Sequence, residues 1–164
     1  MVKLFAIALL ASAGWAQTPE PARFFKLDFV LKEVEGARIL SAHTFTMDVS
    51  TDASAPPSAI RSGAKVPIAI NSGSPNAQFN YLDVGVNIEC RNVKEATGGL
   101  SLNVSAEVSS VPPDAAGPAQ PVVHQNRFSS AVSLPLQKST VLFASDDLAT
   151  KHQMRLELTA TPIR

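Results

Sequence analysis

A serine three residues before a lysine, Ser62-Gly63-Ala64-Lys65, together with the later triplet Lys138-Ser139-Thr140, has the spacing of a serine acyl-enzyme site. That chemistry needs the serine at the start of a helix, with the lysine one turn on and on the same face. Here Val66-Pro67-Ile68 follows, a loop entering a strand, so the spacing reads as chance. The three histidines, His43, His124 and His152, lie far apart and lack the His-x-His or His-x-x-x-His pairing that brings two ring nitrogens to one metal. They read as scattered strand or surface residues. Asp146-Asp147 lacks the repeated acidic spacing of a calcium loop and reads as a solvated turn. No Gly-x-Ser-x-Gly elbow, P-loop or dinucleotide fingerprint occurs. The expectation is therefore no catalytic residue, no metal, no cofactor and no enzyme. For a bound ligand, Arg91, His124 and Arg127 are the polar groups whose convergence would matter, although each also reads as a solvent-facing strand residue.

The elements that must position these groups are strands. From Phe25 the apolar residues Phe25, Leu27, Phe29 and Leu31 recur at every second position, the period of a strand with one dry face. Gly36 marks a turn, and Phe45, Met47 and Val49 alternate on the return, which predicts a hairpin. Pro56-Pro57 breaks it. A short strand follows over 65–70, where Pro67 points to an edge position or a strand start. In the next strand Phe79 and Tyr81 occupy odd positions, but Val84, Val86, Ile88 and Cys90 even ones, which predicts a β-bulge at or beside Gly85. Cys90 falls on the apolar side and reads as a buried small residue. Leu100, Leu102, Val104, Ala106 and Val108 alternate without fault. The proline-rich run Pro112 to Pro121 reads as a mobile or interaction loop. Three more strands fall within 122–134, 141–143 and 154–160. No segment carries the stripe of a long amphipathic helix. The expected fold is all-β: about eight mostly antiparallel strands in a two-sheet sandwich or barrel-like domain, with little helix.

Composition narrows the compartment and partners. The chain has 164 residues, with 14 Lys and Arg against 14 Asp and Glu, and a pI near 6.8. It therefore lacks the positive field that nucleic-acid binding relies on, and no nucleic-acid partner is expected. Residues 1–16 read as a cleaved signal peptide: Lys3, then the apolar run Leu4 to Leu10, then small residues up to Ala16. Residues 17–22 read as an extended leader and 23–164 as one β-rich domain.

The span Ile60 to Ile68, followed by Phe79 to Ile88, resembles the conserved C-terminal domain of bacterial secretins, the outer-membrane pore family of type II and type III secretion. In that family a glycine-containing segment ending in Val-Pro precedes a Tyr-x-x-Val-Gly-hydrophobic-x-hydrophobic strand. Here Val66-Pro67 and then Tyr81, Val84, Gly85, Val86 and Ile88 match. The resemblance continues through Leu100 to Ser110 and through Gln125 to Val132, with Arg127 at the family's basic position, and spans roughly 60–143. It implies strands that join neighbouring subunits into a ring and a β-barrel. Tyr81 is the only Tyr or Trp after residue 16, and the outward strand faces read Ser, Asn, Glu and Arg, so membrane association is not favoured. The expectation is a non-catalytic, exported, secretin-like β-domain, periplasmic or outer-membrane-associated. It would act by self-association or through envelope protein partners in a secretion or pilus assembly. The alternative is a small periplasmic module binding a peptide, glycan or hydrophobic ligand. An outer-membrane pore-forming oligomer and an enzyme rank below both.

Overall fold

The computed structural model describes residues 21–69, 78–111, 122–146 and 152–163. The expected signal peptide, most of the leader and the Pro112 to Pro121 loop lie outside them. The alternating sequence becomes eight strands: β1 (Phe24–Glu35), β2 (Arg38–Ser50), β3 (Ser58–Ala69), β4 (Phe79–Ala96), β5 (Gly99–Ser110), β6 (His124–Pro135), β7 (Thr140–Asp146) and β8 (His152–Ile163). They form two antiparallel four-stranded sheets, one ordered β2-β1-β8-β7 and the other β3-β4-β5-β6. The fold is the expected all-β sandwich.

Each sheet turns its apolar period-two face inward. Phe25, Leu27, Phe29 and Leu31 of β1 and Leu156, Leu158 and Ala160 of β8 meet Ile88 and Cys90 of β4 and the even residues Leu100 to Val108 of β5 in one core. The fully enclosed side chains come mostly from these four central strands. Each large one contributes roughly 1.5–3 kcal/mol by leaving water. The chain changes sheets twice. After β2, the Asp52 carboxylate accepts hydrogen bonds from the Ser54 N–H (2.8 Å) and hydroxyl (2.7 Å), and the Ser58 hydroxyl donates back to the Asp48 carbonyl (3.1 Å). After β6, the Gln137 N–H donates to the Ala160 carbonyl (2.8 Å), which ties the crossover to β8.

The predicted bulge is not at Gly85. The β3–β4 ladder runs in unbroken register from Ser58↔Cys90 to Ala69↔Phe79, with Gly63 opposite Gly85. The bulge lies instead between Arg91 and Lys94, where Asn92 has φ 52° and Val93 rather than an even-numbered residue turns inward. The phase change near Gly85 has another cause. β5 pairs with β4 only as far as Gly85↔Ser109, so residues 79–84 of β4 have no second partner strand among the described residues. Beyond Gly85, β3 and β4 form a two-stranded arm that extends past the sandwich. No core covers either face, so Phe79, Tyr81 and Leu82 remain 55%, 61% and 36% exposed, and nothing forces one phase on the strand.

Candidate functional site

The Gly63–Gly85 pair marks where the arm leaves the sandwich. A Cβ on Gly63 would sit 2.1 Å from the Val84 carbonyl oxygen, and one on Gly85 2.2 Å from that of Ser62. Gly85 also has φ +142°, a conformation side chains rarely adopt. On the β5 side the ladder ends with a side-chain bond, the Gly85 N–H donating to the Ser109 hydroxyl at 3.0 Å. The two glycines leave a dip of about 490 Å³ on the outer face of the sheet, bordered by Arg61, Lys65, Asp83 and Glu107. Lys65 and Asp83 close its arm side as a cross-strand ion pair at 2.9 Å.

Ser62 and Lys65 lie in one extended strand. Three residues apart in a period-two element, they point to opposite faces, so the Ser-x-x-Lys spacing assembles no nucleophile–base pair. Cys90 is 1% exposed, and burial pushes its thiol up to about 12. It is a core residue with almost no thiolate at neutral pH.

Arg91, His124 and Arg127 stand in different places. Arg127, on the outer face, donates to Glu107 through Nη2 (2.7 Å) and Nε (3.0 Å). That contact, with a further hydrogen bond from Gln125, holds the Glu107 carboxyl below its ordinary range. Arg91 donates through Nε to Glu89, which likewise lowers Glu89 and raises Arg91. Both arginines are exposed strand residues held by acids on their own sheet. His124, opposite Ser110 at the start of β6, lines a second and larger cleft.

This cleft, about 640 Å³, opens between the two sheets at the end of the core. Its floor is apolar: Leu31, Val86, Val108 and Met154. Its rim brings together His43, His124 and His152, the three histidines that sequence separation had left scattered. The inward positions explain the gathering. Along β1, β2 and β8 the inward residues run apolar through the core and then turn polar at this end, with Glu33, His43 and His152 in the places of Leu and Phe, while on β6 His124 ends an inward row that also carries Ser130 and Asn126. His152 Nδ1 lies 2.8 Å from Glu33 Oε1, and Gln153 donates to Asp146 at 2.9 Å. Among the described residues no group of three His, Cys, Asp or Glu side chains has the geometry of a metal site.

Two four-stranded antiparallel sheets over one core, with a two-stranded arm, define an all-β sandwich, and that fold is shared with solved secretin structures. The chain resembles the Salmonella SPI-1 type III secretion injectisome secretin InvG with a TM-score of 0.54 at 10% identity, over 87% of this chain and 64% of that one. Against the type II secretin XcpQ of Pseudomonas aeruginosa the TM-score is 0.53 at 11% identity, over 87% and 58%. A chain of the ETEC pilotin–secretin AspS–GspD complex gives 0.51 at 10% identity, over 87% and 47%. This chain therefore spans less than two thirds of each of these proteins, and what they share with it is the fold. No family profile and no curated protein sequence matches it.

Proposed function

We propose that this protein is a non-catalytic, exported β-domain of the cell envelope that works through protein–protein contacts, first of all with further copies of itself. The observation that carries this reading is the secretin-like fold joined to the two outer strands of its β3-β4-β5-β6 sheet. Edge strands expose unpaired backbone donors and acceptors, and proteins that avoid pairing shorten, bulge or cover them. β7 is such a blunted edge, seven residues long and interrupted between Val141 and Phe143. β3 and β6 are not blunted in that way: each runs twelve residues in unbroken register with its inner neighbour. Pro67 removes one donor from β3 but leaves the rest of that strand able to pair. Pairing β6 of one copy with β3 of the next is head-to-tail, and head-to-tail contacts that close make rings. InvG, XcpQ and GspD, whose solved structures share the fold, are secretins of secretion systems, and the GspD structure includes a pilotin. Their placement in the envelope supports an envelope location for this chain.

Light scattering coupled to size-exclusion chromatography, with and without detergent, tests self-association. The expected result is an assembly of many copies. A monomer under every condition overturns the reading. The neighbouring variants Ser129→Pro and Ser130→Pro locate the contact on β6. In a ladder only alternate N–H groups face the neighbouring strand, so one proline removes a donor to β5 and the other removes only an outward donor. The variant that keeps its fold is expected to lose assembly. Unchanged assembly in that variant would exclude the β6 edge.

A further inference from the structure

We infer that the copies join with a stagger: β6 of one copy pairs with β3 of the next over 125–135 and 59–69, with Leu134 opposite Ile60 and Phe128 opposite Val66. This rests on the strand-edge reading and gives that contact its register. The three ladders of the β3-β4-β5-β6 sheet are all antiparallel, so its two outer strands run in opposite directions. Copies related by rotation about a ring axis keep their strand directions, and β6 therefore meets the next β3 antiparallel. Directly opposed residues share a face: Ile60 opposes Ile88, and Leu100 opposes Leu134, all on the core side. A continuous sheet thus keeps even-numbered residues opposite even-numbered ones, and the register can change only in steps of two.

Within one copy Arg61, Asn87, Glu107 and Arg127 lie in one row across the sheet. An unstaggered neighbour would set its Arg61 beside Arg127, like charges directly opposed. It would also pair only 58–64 with 124–130 and leave the arm bare. A slide of two residues opposes no two large apolar side chains, and a slide of four sets Lys65 against Arg127. A slide of six, which brings Ser133 rather than Arg127 opposite Arg61, extends the pairing to the end of the arm. Ile60 and Val66 then meet Leu134 and Phe128, two apolar pairs with the same spacing on each strand, while Lys65 faces Ser129. A slide of eight keeps only Ile68 against Phe128. Six residues at about 3.4 Å each, against four strands about 4.8 Å apart, incline the strands by roughly 45°, the upper end of the roughly 35–45° that closed barrels use. The stagger gives the arm a third strand.

Cysteine pairs read the register. Directly opposed residues lie about 4.5–5.5 Å apart between Cα atoms, within disulfide reach, whereas residues two positions out of register, about 7–8 Å apart, do not bridge. Full chains carrying Arg61→Cys with Ser133→Cys, or Lys65→Cys with Ser129→Cys, all at exposed positions, are oxidised mildly after light scattering. Cys90 stays in place, buried and with its thiolate suppressed. Both pairs are expected to give a ladder of covalent multimers on a denaturing gel, with loss of most of the monomer band. Arg61→Cys with Arg127→Cys and Lys65→Cys with Arg127→Cys, which match the unstaggered and four-residue registers, are expected to stay single chains. If the parent assembles and a ladder comes from either of these, or from neither of the first two pairs, the register is overturned and the strand-edge reading stands. A parent that scatters as a monomer overturns both.

Discussion

Gly85 is the residue with the least freedom to change. Its φ of +142° and the 2.2 Å approach of the Ser62 carbonyl to any added Cβ leave no room for even a methyl group. Gly85→Ala is expected to lower stability by about 2 kcal/mol or more, through backbone strain and displacement of β3. Thermal or urea unfolding measures it, and a loss within a few tenths of a kcal/mol would mean the strands part without strain. Glu157 gives the clearest pH prediction. The Lys32 ammonium beside it holds its carboxyl below the ordinary range, against the partial burial that pushes it up and with help from the Ser139 hydroxyl. A carboxyl depressed in the folded state adds stability above its unfolded value, and that stability disappears as pH falls through the folded one. Glu157→Gln should therefore cost up to about 1 kcal/mol at pH 7, and the difference from the parent should shrink as pH falls below the ordinary glutamate range and vanish only beneath the depressed folded value. Unfolding curves measured across that range would refute it if the difference stayed constant.

At the scale of elements, the arm and the central strands are built alike but enclosed differently. β1 and β8 pair on both edges and bury Phe25, Leu27, Leu156 and Leu158. The arm has two strands, solvent on both faces and an ion pair, Lys65–Asp83, in which both side chains are more than two thirds exposed. Such a pair adds little, and a two-stranded ribbon is marginal in water. In the dissociated chain, amides of residues 64–68 and 80–84 are expected to exchange with deuterium orders of magnitude faster than those of residues 25–31 and 156–160. Equal protection would show that the arm is covered even in the single copy. If the proposed assembly forms, the arm's protection should rise with it.

For the molecule as a whole, the two sheets share one core, so neither keeps a dry face without the other. They should unfold in a single transition. Cys90 reports on this: it is the only cysteine, it lies at the interface between the sheets, and burial suppresses its thiolate. Thiol labelling in rising denaturant is expected to follow the loss of β-sheet circular dichroism with the same midpoint. Labelling at clearly lower denaturant would show that the β3-β4-β5-β6 sheet opens first.

Much of this fold was legible in one dimension. Over 25–31 of β1, 100–108 of β5 and 154–160 of β8 every second residue is apolar because one face must leave water, and a period of two admits one element type. Turn residues such as Gly36, with φ 58°, marked where the chain reverses. The secretin-like likeness of Tyr81, Val84 and Gly85 was also readable, because close backbone approach admits glycine there and little else. The position of the β4 bulge was not, since alternation assumes a core along the whole strand and β4 outruns its core by six residues. Nor was the cleft: His43, His124 and His152 are distant in the chain, and nothing local indicates that antiparallel pairing will carry three inward positions on three strands to the same end of the sandwich. Local patterning speaks for the face a residue takes; which residues meet on that face depends on strand order, register and how far each strand runs past its neighbours, and these are settled when the sheets close over a common interior.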